Sequence, residues 1–204
     1  MSFYSRHLFP YLLDFTMRQP AFAAARRELL QEVRGEVLEI GFGTGLNLDY
    51  YPAGVRRLTS IDVNPGVHRL AAQRLRNSPI RVIHSVLNGE SLPMPDASFD
   101  AVVSTWTLCS IAHVDRALRE VRRVLRPGGR FYFVEHGLSP DPAVARWQHR
   151  LTPVQKVIAD GCHLDRDMLG LIEAAGFTHI EARHFLADGL PAVGNFMTLG
   201  SARP

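Results

Sequence analysis

Glu39, Gly41, Gly43, Gly45 and Asn47 fall in one short stretch, GEVLEIGFGTGLN, which begins at Gly35. Val37, Leu38 and Ile40 read as a buried strand, and the three glycines follow it at alternate positions. Glycine admits positive φ and lets backbone lie against a ligand with no Cβ in the way. A strand, a glycine turn and then a helix-compatible run is how an open α/β sheet offers a loop to a polar ligand. The spacing narrows the ligand. A G-x-G-x-x-G fingerprint needs a glycine at 46, where Leu46 stands, and no Lys-Ser or Lys-Thr follows to make a P-loop. Glu39, two residues before the first glycine, would repel a pyrophosphate and favour a cationic or hydroxyl-rich ligand.

Asp62 closes a second strand, RLTSID, about twenty residues past the glycine turn. An acid in that place is the expected partner of ribose hydroxyls, since a carboxylate accepts from two vicinal hydroxyls at once. Val63 follows it, and Asn64-Pro65 is the better placed pair to start the next helix. FDAVVST, ending at Thr105, is a near-continuous apolar run suited to a central parallel strand. Trp106 and Cys109 lie just past its carboxyl end, where such sheets bind ligands. Cys109 reads either as a nucleophile or as a small apolar packing residue. His136 ends a further strand, RFYFVE, at the same edge. It is the candidate to orient or deprotonate an acceptor, against a histidine satisfied in a loop network. Cys162, His163 and Asp165 have neither finger nor helical HxxxH spacing, so no metal site is expected.

The acidic-x-Gly-x-Gly-x-Gly stretch resembles the first motif of class I S-adenosylmethionine-dependent methyltransferases. The LRPGG turn after the SFD strand strengthens that resemblance, which spans most of Gly35 to Glu135. It implies S-adenosyl-L-methionine as cofactor, held by Glu39, Gly41, Gly43, Gly45, Asn47, Asp62, Val63, Asn88, Gly89 and Thr105. The family's adenine-binding acid is replaced here by Asn88, which still offers a carbonyl acceptor, with the Gly89 amide beside it. TLCSI, REVRRVLRPGGRFYFVEH, a downstream Trp-Gln and DGC together are similar to a subgroup that methylates alkyl thiols. GTGLNLDYYP is similar also to phospholipid N-methyltransferases and quinone-type C-methyltransferases. The implied activity is methyl transfer to a small, apolar acceptor, with a thiol favoured. The alternatives are a phospholipid or quinone acceptor at a membrane surface, or a cofactor-binding module without turnover. Trp106, Cys109 and His136 would face the acceptor.

The elements that must position these groups follow from pattern. The expected fold is α/β: a seven-stranded, mostly parallel Rossmann-like sheet with helices on both faces and the last strand antiparallel. Residues 35–204 would form the catalytic domain. Residues 1–34, aromatic and punctuated by Pro10 and Pro20, would form a cover or lid, with a helix over Ala21–Val33. Further helices are expected at Leu46–Tyr51, Pro65–Arg76, His113–Leu125, Ser139–Arg150, Leu151–Gly161 and Leu164–Ala175. A length of 204 residues suits one such domain. A net charge of +3 argues against a dedicated nucleic-acid surface but leaves weak peripheral membrane contact open. Two cysteines make no disulfide framework, so a reducing, cytoplasmic setting is the default.

Overall fold

Val37, Leu38 and Ile40 each lose nearly all contact with solvent, although successive side chains point to opposite faces of a strand. Leu38 and Ile40 enter one apolar layer and Val37 the other. A strand covered on both faces belongs in the middle of a parallel sheet. The computed structural model, which describes residues 2–204, places it there. β1 (Gly35–Ile40) pairs in parallel with β2 (Val55–Asp62) on one side and β4 (Phe99–Thr105) on the other. β3 (Val82–Val86), β5 (Leu125–His136), β6 (Thr178–Leu186) and β7 (Phe196–Arg203) complete the order β3-β2-β1-β4-β5-β7-β6. β7 runs antiparallel between β5 and β6, as expected for the last strand. The chain turns outward in opposite directions from β1 and β4, so their carboxyl ends flank a crevice.

The helices close both faces. α3 (Pro20–Leu30) and α4 (Pro65–Asn77) bury Ala25, Leu29, Leu30 and Ala71 in the layer of Val37. α5 (Val114–Val124) and α7 (Met168–Ala174) bury Leu118, Val121, Met168 and Ile172 in the opposite layer. α4 starts as expected at Asn64, whose side chain accepts from the Gly66 amide at 2.8 Å, with Pro65 in the first turn.

Three boundaries differ from the sequence expectation. Leu46–Asp49 is a single 3-10 turn rather than a helix, since Pro52 denies the amide that a longer helix needs. The two helices expected over Ser139–Gly161 are one, α6 (Pro142–Ile158), running through Pro153. The carbonyl that Pro153 leaves without a donor belongs to exposed His149, where water reaches it. The lead folds as α1 (Phe3–His7) and α2 (Phe9–Met17) before α3. Among the described residues no helix is long and apolar enough to cross a membrane.

Candidate active site

The crevice between β1 and β4 holds a cavity of about 360 Å³. Its floor is the glycine turn. Gly41 sits at φ +75°, and a Cβ there would lie 1.9 Å from Thr107 Oγ1, so no other residue fits without moving that loop. Gly43, at φ +55°, has nothing nearer its missing Cβ than Leu13 at 3.9 Å. That leaves backbone open to the cavity, a cradle for a ligand. The Gly43 amide donates to Asp62 Oδ2 at 2.7 Å, and the Asn64 amide donates to Asp62 Oδ1 at 2.8 Å. Each carboxylate oxygen keeps a further lone pair for an incoming hydroxyl. Burial pushes the Asp62 carboxyl above its usual range, the two amides oppose this, and Asp160 across the cavity adds to it.

Gly41, Gly43, Asn47, Asp62, Val63, Asn88, Gly89, Thr105 and Trp106 all line the cavity, so nine of the expected contacts converge on one space. Asn88 Oδ1 accepts from the Glu90 amide at 3.0 Å, which fixes the side chain as a turn and leaves one acceptor direction. Glu39 and Gly45 stand behind the floor. Glu39 is 1% exposed and accepts from Asn47 Nδ2 at 2.9 Å and from Tyr51 Oη at 2.8 Å. Burial raises its carboxyl to about 8, against the pull of those two bonds and of Arg26. Asn47 also reaches Thr105 Oγ1 at 3.1 Å, tying the turn to the end of β4.

Four sequence expectations are corrected: Glu39 and Gly45, expected to touch the cofactor, lie behind the cavity floor, and two expected acceptor contacts lie elsewhere. Neither Cys109 nor His136 lines the cavity. Cys109 is 2% exposed and turned into the layer beneath, with Cys162 Sγ at 3.7 Å. His136 is 8% exposed, and its Nε2 lies 3.0 Å from Cys162 Sγ. The reason is the residue between them and the sheet edge. Glu135, fully buried, accepts through Oε1 from Ser104 Oγ at 2.9 Å and from the Thr107 and Leu108 amides at 3.0 Å each. These bonds turn the loop after β4 so that Trp106, at φ +51°, faces the cavity while Cys109 passes behind it.

Other residues at the site were not anticipated. Arg26 lines the cavity although only 4% exposed. Its Nε donates to Asn47 Oδ1 at 2.9 Å and its Nη1 to the Met17 carbonyl at 2.8 Å, and the guanidinium lies 4.9 Å from the Trp106 ring centroid. Burial lowers it to about 10, so it stays a cation at neutral pH. A signal existed, since Arg26 falls on the same helical stripe as Phe22, Leu29, Leu30 and Val33. The roof is α2, which contributes Phe9, Leu13 and Met17. Asp14 pins it, accepting from Thr44 Oγ1 at 2.6 Å and Arg74 Nη1 at 2.9 Å. Ser5 and Tyr4 of α1 donate to Asp160 Oδ2 and the Ile158 carbonyl, both at 2.7 Å.

The cavity therefore presents an apolar slot, carboxylates at Asp62, Asp160 and Glu90, and one cation at Arg26. That set fits a nucleoside bearing a positive centre and a free carboxylate.

Comparison with known proteins agrees with this geometry. Residues 38–133 match the family described as methyltransferase domain. The human thiol S-methyltransferase TMT1A is 38% identical over 193 residues, 88% of this chain and 79% of that protein. The rat thiol S-methyltransferase TMT1B is 35% identical over 85% of this chain and 76% of its own length. The crystal structure of the N-methyltransferase NodS from Bradyrhizobium japonicum, in complex with S-adenosyl-L-homocysteine, superposes with a TM-score of 0.69 at 20% identity. That match covers 98% of this chain and 93% of NodS, and it concerns the fold. With the glycine turn, the Asp62 carboxylate and the open cradle in one crevice, the chain belongs to the class I S-adenosylmethionine-dependent methyltransferases.

Proposed function

We propose that the chain methylates a small, apolar thiol. The observation that supports this is what the cavity wall lacks. Among the lining residues there is no histidine, lysine, cysteine or tyrosine. Its ionisable groups are the carboxylates of Asp62, Glu90 and Asp160, and Arg26, among apolar side chains that include Phe9, Leu13, Met17 and Trp106. An acceptor must then arrive as its own nucleophile. A thiol with pKa near 8.5 is partly thiolate at neutral pH, whereas an amine or carbon acid needs a base. The 35–38% identity to proteins named thiol S-methyltransferases supports the same choice.

S-adenosylmethionine, when bound, would supply an electrophilic methyl on a sulfonium to a thiolate acceptor. The protein's part is to bind and align. Asp62 would accept from the ribose hydroxyls, the Gly43 backbone would lie against the ligand, and Arg26 would take the amino-acid carboxylate through the guanidinium edge not used by Asn47 and Met17. Asp62 and Asp160 offset the positive centre. Trp106 and α2 exclude water from the reacting end. Alignment of this kind is worth about 7–11 kcal/mol at best.

Labelled cofactor with a panel of alkyl thiols, amines and phospholipids tests the reading. Transfer to thiols is expected, with kcat/KM rising with pH along the acceptor's own thiol titration. Transfer to an amine or carbon acceptor with none to any thiol would overturn it.

The outer face of α1 and α2 exposes Phe3, Leu8, Tyr11, Leu12 and Phe15, beside exposed Val154, Val157 and Ile158 of α6. This apolar rim surrounds the roof of the cavity and supports peripheral contact with a lipid surface, from which apolar acceptors would enter. Co-sedimentation with anionic vesicles at low salt is the measurement, and Phe15→Asp should reduce it.

A further inference from the structure

We propose that Cys109, His136 and Cys162 form a zinc site with one open coordination position. The three residues come from the loop after β4, the end of β5 and the loop between α6 and α7. All are buried, and one ligand atom from each lies within 4.8 Å of the other two. Cys109 Sγ and Cys162 Sγ are 3.7 Å apart, and His136 Nε2 is 3.0 Å from Cys162 Sγ. Zinc bonds of about 2.3 Å to sulfur and 2.0–2.1 Å to nitrogen give tetrahedral edges of about 3.5–3.8 Å. The sulfur pair already has that spacing, while the imidazole must withdraw from Cys162 by about half an ångström and lies within 4.8 Å of Cys109 Sγ, so a turn of its ring toward Cys109 completes the third edge.

The donor set itself selects the metal. Two thiolates and an imidazole, with no carboxylate among them, suit Zn²⁺ and not Mg²⁺ or Ca²⁺. Binding releases the two thiol protons to solvent and leaves the imidazole neutral, so dication and thiolates cancel and the buried cluster carries no net charge. The histidine is under-satisfied without it. Its Nδ1 is buried with no hydrogen-bond partner, and its Nε2 meets only Cys162 Sγ.

The site has a consequence for the cavity that needs no contact with it. Ser110 adjoins Cys109, and Ala159 and Asp160 precede Cys162, and all three line the wall. His163 already crosses between the loops, its amide donating to the Cys109 carbonyl at 2.9 Å. A metal would lock this wall by joining both loops to β5.

The test uses the full chain purified without a histidine tag. We expect close to one zinc per chain after dialysis, and, on cobalt exchange, a thiolate-to-cobalt charge-transfer band with the intense visible bands of a tetrahedral ion. Both thiols should resist maleimide until a chelator is added, and the melting temperature should fall with the metal. C109S and C162S should each lose the charge-transfer intensity of one thiolate. The wild-type measurements do not depend on how those variants fold. Trace zinc with freely reactive thiols, a cobalt spectrum without thiolate bands, or an intact mass showing Cys109 and Cys162 joined as a disulfide with no metal would each overturn the site.

Discussion

Removing the Asp62 carboxylate separates the cofactor's grip from the fold that carries it. In Asp62→Ala the two backbone donors at Gly43 and Asn64, now 2.7 and 2.8 Å from the carboxylate, lose a charged acceptor but face a cavity that water enters. The carboxylate itself is held above its usual range by burial and by Asp160, so its loss also relieves a cost, and the fold should lose little. Cofactor binding has no such offset. Each oxygen has one lone pair left after the amide, which allows two charge-assisted hydrogen bonds to vicinal hydroxyls. Against competition from water these amount to about 2–3 kcal/mol together, or roughly 30- to 150-fold in Kd. Calorimetry with S-adenosylhomocysteine reads this directly. An analogue lacking the 3′-hydroxyl adds the discriminating arm. It should bind the native protein less tightly than the parent compound, and the variant should no longer distinguish the two. Equal affinity of native and variant protein for S-adenosylhomocysteine, or a variant that still penalises the deoxy analogue in full, would refute the ribose assignment.

Four further outcomes are expected. Arg26→Gln keeps a donor to Asn47 but removes the cation, so KM for the cofactor should rise about 10- to 100-fold with a smaller change in kcat, read from initial rates. Gly41→Ala forces a Cβ onto Thr107 at φ +75°, and binding of S-adenosylhomocysteine by calorimetry should be lost even where circular dichroism shows a fold. Glu39, held near 8 in the native state and about 4.5 unfolded, makes the native state bind the extra proton. Its contribution is therefore full below pH 4.5 and lost as pH rises through 8, on the order of 3–5 kcal/mol, and urea melts of Glu39→Gln across that window should be flatter than those of the native protein. Asp14→Ala unpins α2 from Thr44 and Arg74, so trypsin should cut after Arg18 faster, and saturating S-adenosylhomocysteine should slow that cut in the native chain.

What could be read from the chain beforehand divides along a physical line. Strands β1, β2 and β4 and the glycine turn were legible because their signals are local. An apolar run, a positive-φ turn and an acid at a strand end need only their neighbours to be recognised. Nine expected contacts line the cavity: Asp62 and Gly43 were carried by these local signals, whereas Asn88 and Gly89 came only from the family resemblance. Arg26 was not found because its role depends on α3 packing beside Asn47, a contact across 21 positions. Cys109 and His136 were placed at the correct edge of the sheet but on the wrong side of its wall. Which way a side chain turns there was decided by Glu135, whose carboxylate gathers two amides and a hydroxyl from the loop after β4. The same limit hid the Cys109–His136–Cys162 cluster, whose members are 26 and 27 residues apart and match no local ligand spacing.

Those side-chain directions bear on how the reaction is divided between protein and acceptor. Two charged groups on the cavity wall are oriented firmly, Asp62 through two amides and Arg26 through Asn47 and Met17, and these are the ones that would meet the cofactor's polar parts. The reacting end is left to Trp106 and the side chains of α2, which offer shape and dryness but no proton acceptor. Dryness favours a thiolate over an amine for a second reason. A thiolate is large and polarisable and loses less on leaving water than a small anion does, while an alkylammonium cannot shed its proton where nothing accepts it. A site built in this way holds one partner by its charges and hydroxyls and admits the other by its shape. Specificity among thiols should then follow the volume beneath α2, and enlarging that space with Leu13→Ala should shift the ratio of kcat/KM values toward bulkier thiols.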